Sequence, residues 1–202
     1  MDPAQKEQIV ALTRQNGGEW TLHHTNRLLR LVDRIGAGIT YDAEIDWSSD
    51  VCSSDLAEIV WMAAHLHDWG AYPPWVREGV DHAVRSGEVA RNFLAERGYA
   101  PEFIQAVCEC ITTHHQGDPN RRIEALLLSD ADALDFLGVM GVLREFSRQP
   151  KDMRKAYENA QRRLKKLPGL LCLETSRQIA AGRVEEMEQV LARFAEESFD
   201  LF

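Results

Sequence analysis

One stretch constrains this chain more than any other: Ala63-Ala64-His65-Leu66-His67-Asp68-Trp69-Gly70, an apolar helical segment that runs out into a histidine–aspartate pair. Adjacent side chains on a helix point about 100° apart, so such a pair seldom holds one ion in mid-helix. At a helix C-terminal turn, which the sequence closes with Gly70, an imidazole and a carboxylate can converge on a single cation. The dipeptide alone is weak. It gains weight because His24, His82, His114, His115 and Asp132 recur around it in order.

The rest of the chain reads as helices. Pro3 to Gln15 is a short helix stopped by Asn16-Gly17-Gly18, and a second runs from about Trp20 to Ile35, where Gly36-Ala37-Gly38 ends it. Tyr72-Pro73-Pro74 forces a turn after the His-Asp segment. Asp81 to Arg97 is helical, with Gly98 as its stop; Pro101 opens a helix that ends at Thr113-His114-His115. Ile123 to Leu137 is strongly apolar around Asp130-Ala131-Asp132. A basic amphipathic helix covers Asp152 to Lys166, broken by Pro168-Gly169, and two more lie near Leu171–Ala181 and Arg183–Phe199. With no strand alternation, glycine-rich dinucleotide fingerprint or phosphate-binding loop, the expected fold is an all-α bundle. Residues 1–150 form its main domain, and 151–202 form a C-terminal helical extension packed on it.

Residues 46–56 (Asp-Trp-Ser-Ser-Asp-Val-Cys-Ser-Ser-Asp-Leu) have neither helical nor strand period. They match, residue for residue, one reading frame of a common sequencing-library adapter. Ala43-Glu44-Ile45 before the segment recurs as Ala57-Glu58-Ile59 after it. The segment, with one copy of the repeat, reads as an insertion acquired during assembly. Its removal leaves a short loop running into the His-Asp helix, and Trp47 and Cys52 then carry no functional information.

Composition narrows the function classes. The chain has 202 residues, 45% hydrophobic and 27% charged, with a net charge of −9, which argues against a broad nucleic-acid or anionic-membrane surface. No apolar run approaches the roughly 20 residues of a membrane helix, and no signal pattern opens the chain. Four cysteines without a C-x-x-C pair point to a reducing cytoplasm.

The histidines fall at helix starts and ends. His24 and Arg27 are one turn apart and share a face. Asp132 lies in a helix otherwise built for burial, where an unpaired carboxylate is costly. A bound cation satisfies so many imidazoles and carboxylates economically. Mixed nitrogen and oxygen donors suit Mn, Fe, Co, Ni or Zn better than Ca or Mg.

The order His24-x-x-Arg27, His67-Asp68, His82, Ile111-x-x-His114-His115, Asp130-Ala131-Asp132-x-Leu134 resembles the HD-domain superfamily of metal-dependent phosphohydrolases, over about residues 20–140. Excising the insertion shortens the long gap between His24 and His67 and improves the likeness. The resemblance implies His24, His67, Asp68 and Asp132 as core metal ligands. His82 and His114, with His115, would bind a second metal or the substrate phosphate, so that one or two divalent ions are expected. Asp130 is a neighbour of the ligand position and not the ligand. The implied activity is a phosphohydrolase or phosphodiesterase that uses a metal-activated water on a nucleotide or other small phosphate ester. Asp68, Arg27, His82 and His114 would be its catalytic groups, Arg27 through charge on the phosphoryl oxygens. Where some relatives place an acid after the pair, this chain has Trp69 to Tyr72, a departure from the guanosine-polyphosphate branch.

Each residue also has a plainer reading. His23 is a surface residue, and His65 is a core residue at a position usually aliphatic. His82 can be a cap-region residue after Asp81. Arg27 can pair with Asp135. Trp69 and Tyr72 close the core or stack a base. The run Arg162-Arg163-Leu164-Lys165-Lys166 is a solvated helix face. Two other functions fit the residues: a di-iron oxygenase using the same His/Asp set, and a non-catalytic signalling module, weaker because every ligand is present.

Overall fold

The computed structural model describes residues 1–39 and 52–202. Among them the chain is all-α: α1 (Pro3–Ile39), α2 (Cys52–Leu66), α3 (His82–Ala95), α4 (Pro101–Thr113), α5 (Ile123–Asp135), α6 (Gly138–Arg148), α7 (Met153–Lys166) and α8 (Glu174–Glu197). Short 3-10 turns occupy Trp69–Ala71 and Leu167–Leu170. No helix of the described residues is long and apolar enough to cross a membrane.

The molecule is built around α5. Every residue from Glu124 to Asp135 is buried, as expected of a helix apolar on all sides. It is wrapped by α1, α2, α4, α6 and α8 and by the Leu167–Leu170 turn. Leu127, Leu128 and Leu134 of α5 meet Leu28 and Ile35 of α1, Met62 and Leu66 of α2, and Val107 and Ile111 of α4 in one continuous core. Asp130 and Asp132 are carried through this core on a helix that cannot turn them to bulk water, so each must find partners inside.

The N-terminal break falls where the sequence places it, at Gly18, with φ 73°. Other boundaries differ. Gly36-Ala37-Gly38 does not stop α1, which continues to Ile39 because fully buried Ile35 and contacts with α8 hold the last turns against the core. The apolar segment from Ile123 ends at Asp135, and a separate helix, α6, starts at Gly138. The two expected C-terminal helices are one, continuous through Gly182. Of the segment read as an insertion, 46–51 lies outside the described residues, whereas 52–56 forms the first turn of α2 despite its lack of period. Cys108, Cys110 and Cys172 are free thiols.

Gly70 serves a different purpose from the helix stop expected of it. α2 ends at Leu66, and Gly70 lies inside the 3-10 turn that follows. A Cβ there would lie 2.5 Å from the Ser86 amide nitrogen and 2.6 Å from the His82 carbonyl oxygen. The Gly70 N–H donates to Ser86 Oγ at 2.8 Å. The glycine is a close-approach residue that seats the turn carrying Asp68 on the start of α3.

Candidate metal centre

α1 supplies His24, the α2 end supplies His67 and Asp68, α3 supplies His82, the α4 end supplies His114 and His115, and α5 supplies Asp132. Their rings form a chain: His24 to His67 at 5.3 Å between centroids, His67 to His114 at 5.1 Å, His82 to His114 at 5.5 Å and His82 to His115 at 5.0 Å. Residues more than a hundred positions apart therefore meet at one place.

Two groups of donor atoms emerge, each with its atoms within 4.8 Å of one another: His24, His67 and Asp68, and His82, His114 and His115. Asp132 lies against both, its Oδ1 3.2 Å from His24 Nε2 and its Oδ2 3.5 Å from His115 Nε2. Asp68 likewise faces both, with Oδ2 3.4 Å from His67 Nε2 and Oδ1 3.6 Å from His82 Nε2.

The three buried histidines of the cluster each anchor Nδ1 away from it. Nδ1 of His67 bonds the Ala64 carbonyl at 2.8 Å, Nδ1 of His114 the Ile111 carbonyl at 2.6 Å, and Nδ1 of His24 Asp135 Oδ2 at 2.8 Å. The Ala64 and Ile111 carbonyls accept hydrogen bonds from Nδ1 of His67 and His114, so those two Nε2 atoms keep their lone pairs and face the cluster, while His24 Nε2 faces Asp132. His67 Nε2 is buried and has no hydrogen-bond partner among the described residues. A deeply buried imidazole nitrogen without a partner is costly unless a ligand completes it. The donor set of imidazoles and carboxylates fits a divalent transition cation.

Electrostatics point the same way. Burial alone raises a carboxylate, yet the hydrogen bonds from His115 and His24 hold Asp132 well below the usual range, and the imidazoles of His67, His24 and His114 lower Asp68. Burial keeps His67 neutral and, aided by His67 and His115 nearby, pushes His114 down to about 3. Burial also opposes protonation of His24 and His115, but Asp132 overrides it and raises both. The ionised carboxylates and the neutral imidazoles of His67 and His114 are in the protonation states a metal ion requires.

The plainer readings sort cleanly. His23 is an exposed side chain near Glu19. His65 is buried, stacks on Trp61 at 3.8 Å and is pushed down to about 4 by burial; it belongs to neither group. Asp130 points away and accepts from the Cys172 and Leu173 amides at 3.0 and 2.8 Å, tying the chain before α8 to α5. Asp81 is the α3 N-cap, and His82, next to it, still reaches the cluster. Trp69 is core, stacked on Trp75 at 4.4 Å, while Tyr72 faces the cavity.

Two assignments change. Arg27 donates through Nε and one terminal nitrogen to Asp135, at 2.7 and 3.0 Å, and does not line the cavities at the centre. It braces the carboxylate that holds His24. The run 162–166 is not simply solvated: Arg162, Arg163 and Lys166 line a cavity of about 430 Å³ floored by His114, His115 and Asp132. A second cavity of about 400 Å³ is lined by Asp68, His82, His115, Asp132, Tyr72, Arg144, Arg148 and Arg163. The sequence reading missed Arg144 and Arg148. Arg144 is buried, and it shares the Asp135 carboxylate with His24 and Arg27.

An all-α bundle whose helix ends gather histidines and aspartates around a His-Asp pair defines a class of metal-binding domain. The family model for the HD domain matches residues 21–137, so the chain belongs to the HD-domain family, whose members bind divalent metals. Solved structures agree in fold. The chain is similar to Bacillus subtilis YpgQ in complex with ADP (23% identity, TM-score 0.65, covering 95% of this chain and 97% of that one). It is also similar to an HD-superfamily hydrolase from Bacillus thuringiensis (20%, 0.64, 96% and 96%). A predicted HD-superfamily hydrolase from an uncultured Thermotogales bacterium is a third (23%, 0.61, 96% and 92%). No curated protein matches significantly.

Proposed function

We propose that the protein is a metal-dependent phosphohydrolase acting on a nucleotide or other small phosphate ester. The observation that carries this reading is the open cavity in which Arg144, Arg148 and Arg163 face the His/Asp cluster. Donors for a cation and donors for an anion line one space, as phosphoryl transfer to water requires. The arginines favour an anionic substrate over the neutral one an oxygenase could take. The ADP bound to the similar B. subtilis protein supports a nucleotide.

His24, His67, Asp68 and Asp132 would hold one ion, and His82, His114 and His115 a second or the phosphate. The bound cation supplies Lewis acidity and lowers the pKa of water. The protein's own residues do the rest. Asp135 and the Ala64 and Ile111 carbonyls fix the imidazoles by their Nδ1 atoms. Asp68 and Asp132, held ionised, orient the attacking water by accepting its hydrogens. Arg144, Arg148 and Arg163 offset charge on the phosphoryl oxygens, and His82, partly exposed at the cavity wall, is placed to protonate a leaving oxygen. Residues 151–202 belong to the same unit in this reading, because α7 brings Arg163 to the site. Residues 46–56 remain an insertion outside the machinery; resequencing the source DNA across the junction decides that.

The test is turnover of an aryl phosphate and a nucleotide panel by Mn²⁺-loaded protein. Hydrolysis that is lost in Asp68→Ala supports the reading. Absent hydrolysis with a coupled-iron spectrum would overturn it in favour of the oxygenase.

A further inference from the structure

A cavity of about 250 Å³ lies between α1, α6 and α8, lined by Asp135 but by none of the cluster's histidines and by neither Asp68 nor Asp132. Four arginines surround it. Arg27, Arg30 and Arg34 follow one another at helical spacing on α1, so their side chains share one face. Arg183 meets them from α8.

Two of the four are fixed in place. Arg27 donates through Nε and a terminal nitrogen to Asp135, and Arg183 donates to the Leu134 carbonyl in the last turn of α5. The start of α6 also packs on Arg183: a Cβ at Gly138 would lie 3.3 Å from its Cβ and its Cγ. The other two are uncommitted. Of the four, only Arg27 forms an ion pair with a described residue.

The charge around this space does not balance. Among the described residues Asp135 is the one carboxylate of the lining, and His24, Arg27 and Arg144 already share it. Burial opposes the charge of Arg183 and Arg34 adds to the opposition; Asp135 and Glu186 favour it, but neither forms an ion pair with it. Like charges gathered around a small space repel one another, and an anion set between them reverses the sign of the interaction. Guanidinium forks match the paired oxygens of a phosphate. Clefts that enclose drug-sized ligands run to roughly 300–1,000 Å³. This cavity is smaller and suits a phosphate better than a whole nucleotide.

We propose that the α1/α8 cavity is an anion site for inorganic phosphate, separate from the metal centre. Arg27 and Arg183 serve as its fixed donors, and Arg30 and Arg34 close on the anion from α1. The site goes beyond the phosphohydrolase reading and stands whether or not the chain turns over a phosphate ester. Arg27 and His24 donate to the same carboxylate, Asp135, so the anion would touch a residue that braces the support of a ligand histidine.

Arg30 and Arg34 are exposed, so their replacement does not disturb the core. The full chain, freed of metal so that no ion competes for the anion, is titrated calorimetrically with inorganic phosphate at an ionic strength held constant with chloride. Saturable binding that weakens at least tenfold in the Arg30→Gln, Arg34→Gln double variant and persists in Arg148→Gln is the expected result. Equal binding by wild type and the double variant overturns the proposal. So does a loss confined to Arg148→Gln, which would put the anion at the metal centre. Side-chain Nε–H resonances of isotope-labelled wild type give a second reading that needs no substitution. Phosphate should shift the Arg27 and Arg183 signals to saturation, and chloride should not. Signals that stay still, or that chloride moves equally, overturn the site.

Discussion

His24 Nδ1 lies 2.8 Å from Asp135 Oδ2, and that single bond decides which nitrogen of the imidazole faces the centre. Asp135 also receives Arg27 and buried Arg144, so one carboxylate orients a ligand histidine and neutralises a buried guanidinium. Burial alone raises Asp135, but the hydrogen bonds from His24 and Arg27 lower it, keeping it ionised. Asp135→Asn should weaken Mn²⁺ binding about 10–100-fold, the usual effect of losing a partner behind a ligand. It should also destabilise the fold by about 3–5 kcal/mol, because Arg144 is left buried and unpaired. Metal titration and denaturant unfolding of the same sample check both. Loss of stability with intact metal affinity would confine Asp135 to a structural part.

Asp130 and Asp132 are two residues apart, equally buried, and turned to different work. Asp130→Asn removes acceptor capacity for the Cys172 and Leu173 amides and should lower stability by about 1–3 kcal/mol, while Mn²⁺ affinity stays within twofold. A large loss of affinity would mean that the ligand assignment on α5 is misplaced by one pair.

Gly70→Ala places a Cβ against the backbone of Ser86 and His82, neither of which can swing aside. The α3 start must move, so stability should fall by about 1–3 kcal/mol. His82 should be displaced from Asp68 as well. The check is thermal unfolding together with Mn²⁺ stoichiometry, which should drop toward one ion if the wild type holds two. Unchanged stability and stoichiometry would show that the turn has more room than the distances allow.

Burial pushes His65 down to about 4, against about 6.5 for an unfolded chain. Its folded value is depressed, so between these values the unfolded state binds more protons, and stability rises with pH through the window. The contribution is complete above pH 6.5 and lost as pH falls toward 4, a change of roughly 3 kcal/mol. His65→Leu should flatten that part of the stability profile of the metal-free protein. Denaturant midpoints at pH 7.5, 6 and 5 measure it; parallel profiles for the two proteins would contradict the assignment.

The all-α class, the helical segments flanking the site and the histidines and aspartates that gather there were legible because they depend on local period and on a few residue types. The bounds of α1 and α8 were not, since buried Ile35 and the packing of α8 on α5 and α6 carry both helices through their glycines. Gly70 was legible as important but not for its reason, because a close approach to α3 has no signature in sequence. The arginines were least legible. α6 lies only three residues past α5 and carries no metal-ligating side chain, and a basic helix face such as α7 looks the same in solvent as beside a cavity. The adjacent charged pair Arg144-Glu145 in a strongly amphipathic helix was the available signal, since both residues prove to be buried.

The central claim is that donors from distant helices hold a divalent cation between them. Titrating metal-free wild type, Asp132→Ala and Asp130→Asn with Mn²⁺, and reading free ion by electron paramagnetic resonance, tests it most directly. Saturable binding by wild type and Asp130→Asn, weakened at least tenfold in Asp132→Ala, is the predicted result. Identical isotherms for all three proteins would contradict it.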